Sequence, residues 1–345
     1  MRWTDVSTAA LLLIVIDAAN AQDGVTRPLF QSDSPLELTI EGPLRRLARN
    51  ADDRTELAGI VRYRDSSGEV ALDAEIRIRG KSRLEICDFP PLRVDFERGQ
   101  LDGTVFAGQN HLKLVTLCKP RDAYREYLAQ EYQIYRAYSG LTDYSFRVRW
   151  ASVTYVDTER RRGEPFTEPA FLIEEDWEVA ERHGLAALDV PAVGLAELEA
   201  RSGALLSLFQ FMIGNTDWSA IAAAPEESCC HNGKPIGSAG RGVIVLPYDF
   251  DHAGLIDAEY AQPRGHLRIR SVRQRLYRGY CATNGELDWA VQRFNERRQA
   301  IESAFHSERI GERTRSRTLA YIADFYEIVN DSEQRQSAIV EMCRA

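Results

Sequence analysis

The hydrophobic pattern changes midway along the chain, and this change limits the folds it can adopt. Between residues 36 and 106, apolar and polar residues alternate, as in GIVRYRD and LDAEIRIRG, which is the pattern of half-buried β-strands. The SSGEV between these two runs indicates a hairpin. Residues 195–213 and the region after Leu287 instead show the apolar spacing of helices. The order predicted is a β-rich half followed by a helix-rich half, an α+β arrangement.

Further strands are predicted in PLRVDF, in NHLKLVTL and over residues 145–157, 169–176 and 243–248. One helix, residues 122–138, interrupts them, with Asp122 as its N-cap. Two lobes with a cleft between them are the expected architecture. The predicted organisation is a signal peptide (1–21), a β-rich N-terminal lobe (22–176) and a helical C-terminal lobe (177–345).

The charge balance argues against binding to nucleic acid. The 345 residues carry a formal net charge of -9, and the arginines look scattered along the chain. Lysines are scarce, so few are left to fill a catalytic role: Lys81, Lys113, Lys119 and Lys234.

The N-terminus predicts export to the periplasm, the cell surface or the medium. Arg2, the apolar run AALLLIVI and the small residues ANA resemble a signal peptide that is cleaved before Gln22. The apolar run is too short to span a bilayer, so no transmembrane segment is expected after its removal. The alternative is an N-terminal hydrophobic strand, which Asp5 and Asp17 favour.

Six cysteines suit an oxidising compartment: Cys87, Cys118, Cys229, Cys230, Cys281 and Cys343. Cys87 and Cys118 flank neighbouring predicted strands, so we expect them to pair. The run Cys229-Cys230-His231 lacks C-x-x-C spacing and a second Cys/His cluster, which argues against zinc.

Lys113 stands in a strand that is apolar on both faces, where a charge is costly unless it is paired. Glu131 lies within the buried stripe of the following helix. The two residues predict a buried Lys113–Glu131 ion pair. The alternative is a lysine that extends to solvent and a glutamate at the margin of the stripe.

Acidic residues follow two buried elements. Asp217 comes after the apolar helix through a Gly-Asn turn, and Asp249 and Asp251 end an apolar strand. Such a carboxylate could be a general base, and Asn232 with Asp249 would offer oxygen ligands suited to Mg²⁺. Each of these residues could instead belong to an ordinary turn.

Lysine, glutamate, aspartate, asparagine and aspartate occur here in the order found in protein kinases. The chain resembles the CotH family (spore coat protein H-like) in IRIRGKSR, HLKLVTLCK, YLAQEYQIYRAY, AFLIEEDWEVAERHG, FMIGNTDWS, CHN and VLPYDFDHAG. The resemblance implies a bilobal protein kinase-like fold, with a β-rich N-lobe that carries one helix and a helix-rich C-lobe.

The resemblance also implies roles for individual residues. Asp217 becomes the base-like aspartate, and the insert before Asn232 must loop out for the two residues to meet. The metal ligands are Asn232 and Asp249, joined by Asp251 of the same DFD motif. ATP with Mg²⁺ or Mn²⁺ would be held by Lys113 (oriented by Glu131), Arg79, Gly80 and Arg83. Lys81 or Arg93 could take the place of Lys113.

Three functions remain open at the level of the sequence. The first is an exported atypical kinase that phosphorylates hydroxyl groups of secreted or surface proteins whose identity the sequence does not give. The second is an inactive pseudokinase or exported binding module of the same fold. The third is a metal-dependent or carboxylate hydrolase that uses Asp217, Asp249 and Asp251. The absence of a G-x-S-x-G motif argues against a serine hydrolase.

Overall fold

The computed structural model describes residues 27–49, 54–80, 82–159, 164–238 and 242–345. The predicted signal peptide, residues 1–21, lies outside the described residues, as does Lys81. Within the described ranges, no helix has both the length and the apolar character needed to cross a membrane.

Seven strands form one closed barrel. They are β1 (Leu36–Gly42), β2 (Leu57–Asp65), β3 (Gly68–Ile78), β4 (Leu92–Phe96), β5 (His111–Thr116), β6 (Val148–Asp157) and β7 (Phe166–Ile173). Their order around the barrel is β1-β2-β3-β4-β5-β7-β6. Neighbouring strands are antiparallel except β1 and β6, which run parallel and close the barrel. This closing register extends from Leu36 opposite Ala151 to Gly42 opposite Asp157.

The predicted bilobal protein kinase-like fold is therefore wrong. The strands form a closed barrel with helices among them, and not an open β-rich lobe with one helix. Three helices lie between barrel strands: α1 (Leu44–Arg49), α2 (Ser82–Ile86) and α3 (Asp122–Leu141). The alternation in the sequence predicted strands correctly, but alternation carries no information about which strand pairs with which. The proposed boundary between residues 176 and 177 stays a prediction.

The remaining elements form a mixed assembly of helices with a small sheet. The helices are α4 (Asp176–Arg182), α5 (Ala200–Met212), α6 (Leu287–Glu296), α7 (Arg298–Ser303), α8 (Glu312–Asn330) and α9 (Ser332–Arg335). The sheet has the order β10-β9-β8, with β8 (Ala186–Ala187), β9 (Gly233–Gly237) and β10 (Ile244–Pro247). The predicted helix over residues 122–138 is confirmed, although it continues to Leu141.

Two large hydrophobic cores hold the molecule together. The barrel interior takes every second side chain of its strands, such as Leu36, Leu38 and Ile40 of β1. The second core joins the outside of the barrel to the helical assembly, and α3 lies in it. Tyr135 of α3 contacts Phe171 of β7 and also Phe250, which follows β10. Because α3 touches both parts, polar side chains next to it are placed at their junction.

All six cysteines form disulfides, which agrees with the predicted oxidising compartment. The expected Cys87–Cys118 pair is confirmed, with an S–S distance of 2.05 Å. It ties the end of α2 to the end of β5, and the carbonyl of Cys118 also accepts a hydrogen bond from the amide of Asp88 at 2.9 Å. The bond therefore fixes the position of α2 on the barrel.

Removing this disulfide should destabilise the protein. Cys87 and Cys118 are 31 positions apart, and a closed loop of that size restricts the unfolded chain by about 3 to 4 kcal/mol. We expect Cys87→Ala with Cys118→Ala to lower the free energy of unfolding in urea by about this amount. The control is the same measurement in a reductant, where wild type and variant should agree. A difference that persists after reduction would contradict the explanation.

Candidate functional site

Three acidic side chains converge on one buried guanidinium, and we call these four residues the Arg83 cluster. Arg83 of α2 places Nη2 2.8 Å from both carboxylate oxygens of Glu131. Nη2 also lies 3.1 Å from Oδ1 of Asp249, and Nε lies 3.0 Å from Oδ2 of Asp251. Arg83 is only 8% exposed. The cluster joins α2 and α3 on the barrel side to the segment after β10 on the other side.

The DFD motif folds so that its two acids face the Arg83 cluster while its aromatic residue faces the core. Phe250 is fully buried, with its ring centroid 4.7 Å from that of Tyr135. Asp249 has a φ of 57°, in the left-handed region that aspartate tolerates better than most residues. The Tyr135 hydroxyl accepts a hydrogen bond from the amide of Asp249 at 3.0 Å. Together these contacts fix the turn.

The Arg83 cluster holds more negative than positive charge. The pKa of Glu131 is raised to about 7, mainly by burial and also by the charges of Asp251 and Asp249, against the lowering effect of Arg83. Burial also raises the pKa of Asp249, and the neighbouring Asp251 adds to this. Since one guanidinium faces three carboxylates, the site favours the uptake of a proton or of a further cation.

The predicted Lys113–Glu131 ion pair is wrong, because each residue has another partner. Lys113 places Nζ 2.7 Å from Oε2 of Glu175 and 3.8 Å from Oδ1 of Asp176. The cause is the strand register: Lys113 in β5 lies opposite Ile173 in β7, and Glu175 follows Ile173 by two residues. Glu131 on α3 is neutralised by Arg83 instead.

Three basic side chains, Arg79, Lys113 and Lys234, lie close enough for their charges to interact, and we call them the cation group. Arg79, at the end of β3, donates a hydrogen bond to the Tyr248 hydroxyl, and Lys113 lies 5.6 Å from the centre of the same ring. Lys234 lies on β9, directly opposite Leu246 of β10. Burial lowers the pKa of Lys234 and of Arg79, and the charge of Lys113 lowers that of Lys234 further. An anionic ligand would stabilise this group.

The predicted phosphate loop is only partly free. Arg83 is committed to the three acids, whereas Arg79 faces Tyr248. Gly80 has a φ of 90°, and a Cβ added there would meet nothing within 4 Å. Its backbone is therefore open to close approach by a ligand. Arg93, the suggested substitute for Lys113, lies 3.0 Å from Asp95 and 3.5 Å from Glu175.

Asp217 has a hydrogen-bond partner on each carboxylate oxygen. Asn232 donates to Oδ2 at 3.0 Å and to the backbone carbonyl at 2.7 Å. His231 lies 3.0 Å from Oδ1, and Arg264 contacts the same oxygen. Burial alone would raise the pKa of Asp217, but the hydrogen bond from His231 and the charges of His231 and Arg264 lower it to about 2.

The insert before Asn232 does loop out, and it returns Asn232 to the same region as the DFD motif. Asn232 lies fifteen positions after Asp217, with the Cys229–Cys230 disulfide between them. The carbonyl of Asn232 accepts a hydrogen bond from the amide of Tyr248 at 3.1 Å, directly before Asp249. The charge of His252 lowers the pKa of both Asp217 and Asp249. These contacts bring the predicted base and the predicted metal ligands together.

The residues predicted to bind a metal ion differ in how accessible their side-chain oxygen atoms are. Asp251 is buried against Arg83, whereas the side chain of Asp249 is 34% exposed. Among the described residues, no three His, Cys, Asp or Glu side chains are grouped to hold a metal ion. A magnesium ion that is bound with a nucleotide commonly uses one or two protein ligands together with phosphate oxygens. Asp249 with Asn232 fits that mode, and the assignment stays a prediction.

Several residues of the site were not found from the sequence. His231 and Arg264 contact Asp217, Glu175 pairs with Lys113, and Tyr248 lies among the cations. Comparisons with known proteins add nothing to this list. No family model, no curated protein and no solved structure matches the chain.

Replacing Arg83 should destabilise the fold strongly. Arg83→Met leaves three buried or partly buried carboxylates without their counter-charge, which costs about 3 to 5 kcal/mol. The measurement is urea unfolding at pH 7. The control is Arg201→Met, which breaks an exposed ion pair with Glu286 and should cost less than about 1 kcal/mol. Equal, small losses would show that Arg83 does not stabilise the acids.

The raised pKa of Glu131 predicts a pH dependence of stability. Its folded pKa of about 7 lies above its ordinary value of 4.5, so it takes up a proton more readily when folded. Its contribution to stability is full below pH 4.5 and is lost as the pH rises through 7. We expect Glu131→Gln to lose less stability than wild type over this window in urea unfolding. The exposed Glu312→Gln serves as control, and identical pH profiles for wild type and Glu131→Gln would refute the prediction.

Proposed function

We propose that the chain is an exported phosphotransferase that uses ATP with Mg²⁺ or Mn²⁺ to phosphorylate hydroxyl groups of secreted or surface proteins. The observation that carries the proposal is the meeting of two sets of side chains. Asp217, Asn232 and Asp249 lie beside the cation group, because Asn232 and Tyr248 share a hydrogen bond and Tyr248 contacts Arg79. Metal-binding oxygens next to cations suited to phosphate are what phosphoryl transfer needs.

The cation group would hold the nucleotide phosphates. Arg79 is half-buried and Lys113 is buried, so their charges act in a medium of low dielectric, where they attract an anion strongly. Lys234, on β9, lies near enough for the charges of Lys113 and Arg79 to act on it. The open backbone at Gly80 leaves room for a phosphate beside Arg79. Arg83 has a positioning role here, since it holds Asp249 in place.

Asp217 would orient the acceptor hydroxyl. Asn232 and His231 fix its carboxylate, and its low pKa keeps it ionised at neutral pH. An ionised carboxylate can accept a hydrogen bond from the hydroxyl and take up its proton while the hydroxyl oxygen attacks the terminal phosphorus of ATP. The bond from that phosphorus to the bridging oxygen breaks, and ADP leaves. Asn232 and Asp249 would hold the metal ion, which supplies positive charge to the phosphate oxygens.

Export is part of the proposal, and the three disulfides support it because such bonds persist outside the reducing cytosol. Membership of the CotH family is also a proposal. It rests on the short motifs GNTDWS, CHN and DFD, and the closed barrel departs from the fold that the resemblance implied. The proposed chemistry depends on the side chains of the site and not on that fold.

Nucleotide binding should stabilise the folded protein. With ATP and Mg²⁺ at about a hundred times the dissociation constant, the free energy of unfolding should rise by about 2.7 kcal/mol. Thermal unfolding measures this as a higher midpoint. Asp249→Asn should abolish the metal-dependent part, and the exposed Asp102→Asn should retain it.

Two results would change the proposal. A well-folded wild type that shows no shift with ATP and either metal would favour the exported binding module instead. If the shift survives Asp249→Asn, the metal assignment is wrong. Where the shift is seen, Asp217→Asn should keep it but lose transfer of labelled phosphate to protein acceptors, because Asp217 acts on the hydroxyl and not on the nucleotide.

A further inference from the structure

One stretch of this acidic chain is strongly basic. No aspartate or glutamate lies between Glu259 and Glu286, while the same stretch carries the arginines 264, 268, 270, 273, 275 and 278. The sequence-based description of the arginines as scattered is therefore wrong for this stretch. Its charge differs in sign from the formal net charge of -9 of the whole chain.

The two halves of the stretch are used differently. Arg275 donates hydrogen bonds to the carbonyls of Phe211 and Met212, and Arg273 stacks on Tyr321 at 4.9 Å. These contacts anchor the stretch to the helical assembly. By contrast, the side chains of Arg264, His266, Arg268 and Arg270 are exposed, and we call this part the basic segment (residues 264–270).

The basic segment lies beside the predicted base, Asp217, and some of its arginine side chains are available to bind a ligand. Neither the Arg268 nor the Arg270 side chain has a hydrogen-bond or ion-pair partner among the described residues. Arg264 does have a partner, and it is a carboxylate, that of Asp217. That contact shows that a guanidinium of the basic segment can bind a carboxylate. It does so at the position where an acceptor hydroxyl would approach Asp217. It also keeps one oxygen of Asp217 occupied.

We propose that the basic segment binds an acidic stretch of the acceptor protein, and that an acceptor carboxylate replaces Asp217 on Arg264. This inference rests on the proposed function, because it names the substrate class of the same site. Replacement removes Arg264 from Oδ1 of Asp217 and leaves His231 as the remaining partner of that oxygen. The acceptor hydroxyl could then approach Oδ1, so an acidic acceptor would both bind and expose the base. A long nucleic acid fits less well, since the remaining surface of a chain with net charge -9 repels it.

The first test measures binding without nucleotide. The probe is a short fluorescein-labelled peptide of Ser, Asp and Glu, titrated with the mature protein by fluorescence anisotropy at low salt. Peptides of equal length made of Ser and Lys, or of Ser and Gly, should not bind. Arg268→Glu with Arg270→Glu should weaken binding of the acidic peptide by about tenfold or more, because two attractive charges become repulsive.

The matched control reverses two exposed arginines outside the segment. Arg313 and Arg317 lie one turn apart on the exposed face of α8, so Arg313→Glu with Arg317→Glu makes the same change in net charge. This control should change the affinity by less than about twofold, since distant exposed charges are screened by salt. Equal weakening by both double variants would overturn the inference, as would failure of the acidic peptide to bind. Binding of single-stranded RNA but not of the peptide would replace it with a nucleic-acid site.

A second test addresses the exchange on Arg264. Asp217→Asn removes the internal competitor, so the acidic peptide should bind more tightly to this variant than to wild type. In the Arg264→Ala background the same change should have little effect, because the shared guanidinium is absent. An equal gain in both backgrounds would reflect general charge alone and would refute the exchange. Since neither test uses ATP, loss of nucleotide binding and loss of peptide binding are distinguished.

Discussion

The guanidinium of Arg83 is the interaction on which the rest of the site depends. It lies between α2, α3 and the turn after β10, and it neutralises acids from two of these elements. Lys113 does not share this task, since it is held by Glu175 on a neighbouring part of the barrel. Arg83 therefore pairs with one set of acids at the junction, and Lys113 pairs with Glu175. These ion pairs determine which carboxylates remain available for a ligand.

The charged side chains of the junction fall into two groups, those that stabilise the fold and those that are available to a ligand. The acids on Arg83 and Lys113 are mostly buried, and the Arg83 cluster holds the two parts of the molecule together. Arg79, Lys234 and Asp249 are more exposed. Arg79 contacts Tyr248, which directly precedes Asp249, where the two parts meet. A ligand at this junction would contact the barrel and the helical assembly at once. Its binding energy would therefore also depend on how firmly α3 joins them.

The local elements were largely predictable and the global arrangement was not. Alternation located β2, β3 and β4, an apolar run located β5 and helical spacing located α3, because these signals lie within a few neighbouring residues. The closure of β1 on β6 depends on pairing between distant residues, for which the sequence carries no local signal. In the site, the meeting of Asp217 and Asn232 was expected from the resemblance, which required the insert between them to loop out. The partners of Lys113 and Glu131 were not predicted, because charged groups pair with neighbours that only the folded chain brings together.

The parallel pairing of β1 with β6 has a consequence for the order in which the protein can fold. β1 is synthesised before β6, and this partner is completed only when residue 157 has emerged. Until then one edge of β1 has no strand beside it, and unpaired strand edges are where chains aggregate. Barrel closure is thus a late event of high contact order, which makes folding slow. If the chain crosses a membrane while it is being made, its barrel cannot close before β6 is complete. Until then the chain remains unfolded enough to pass through a narrow channel.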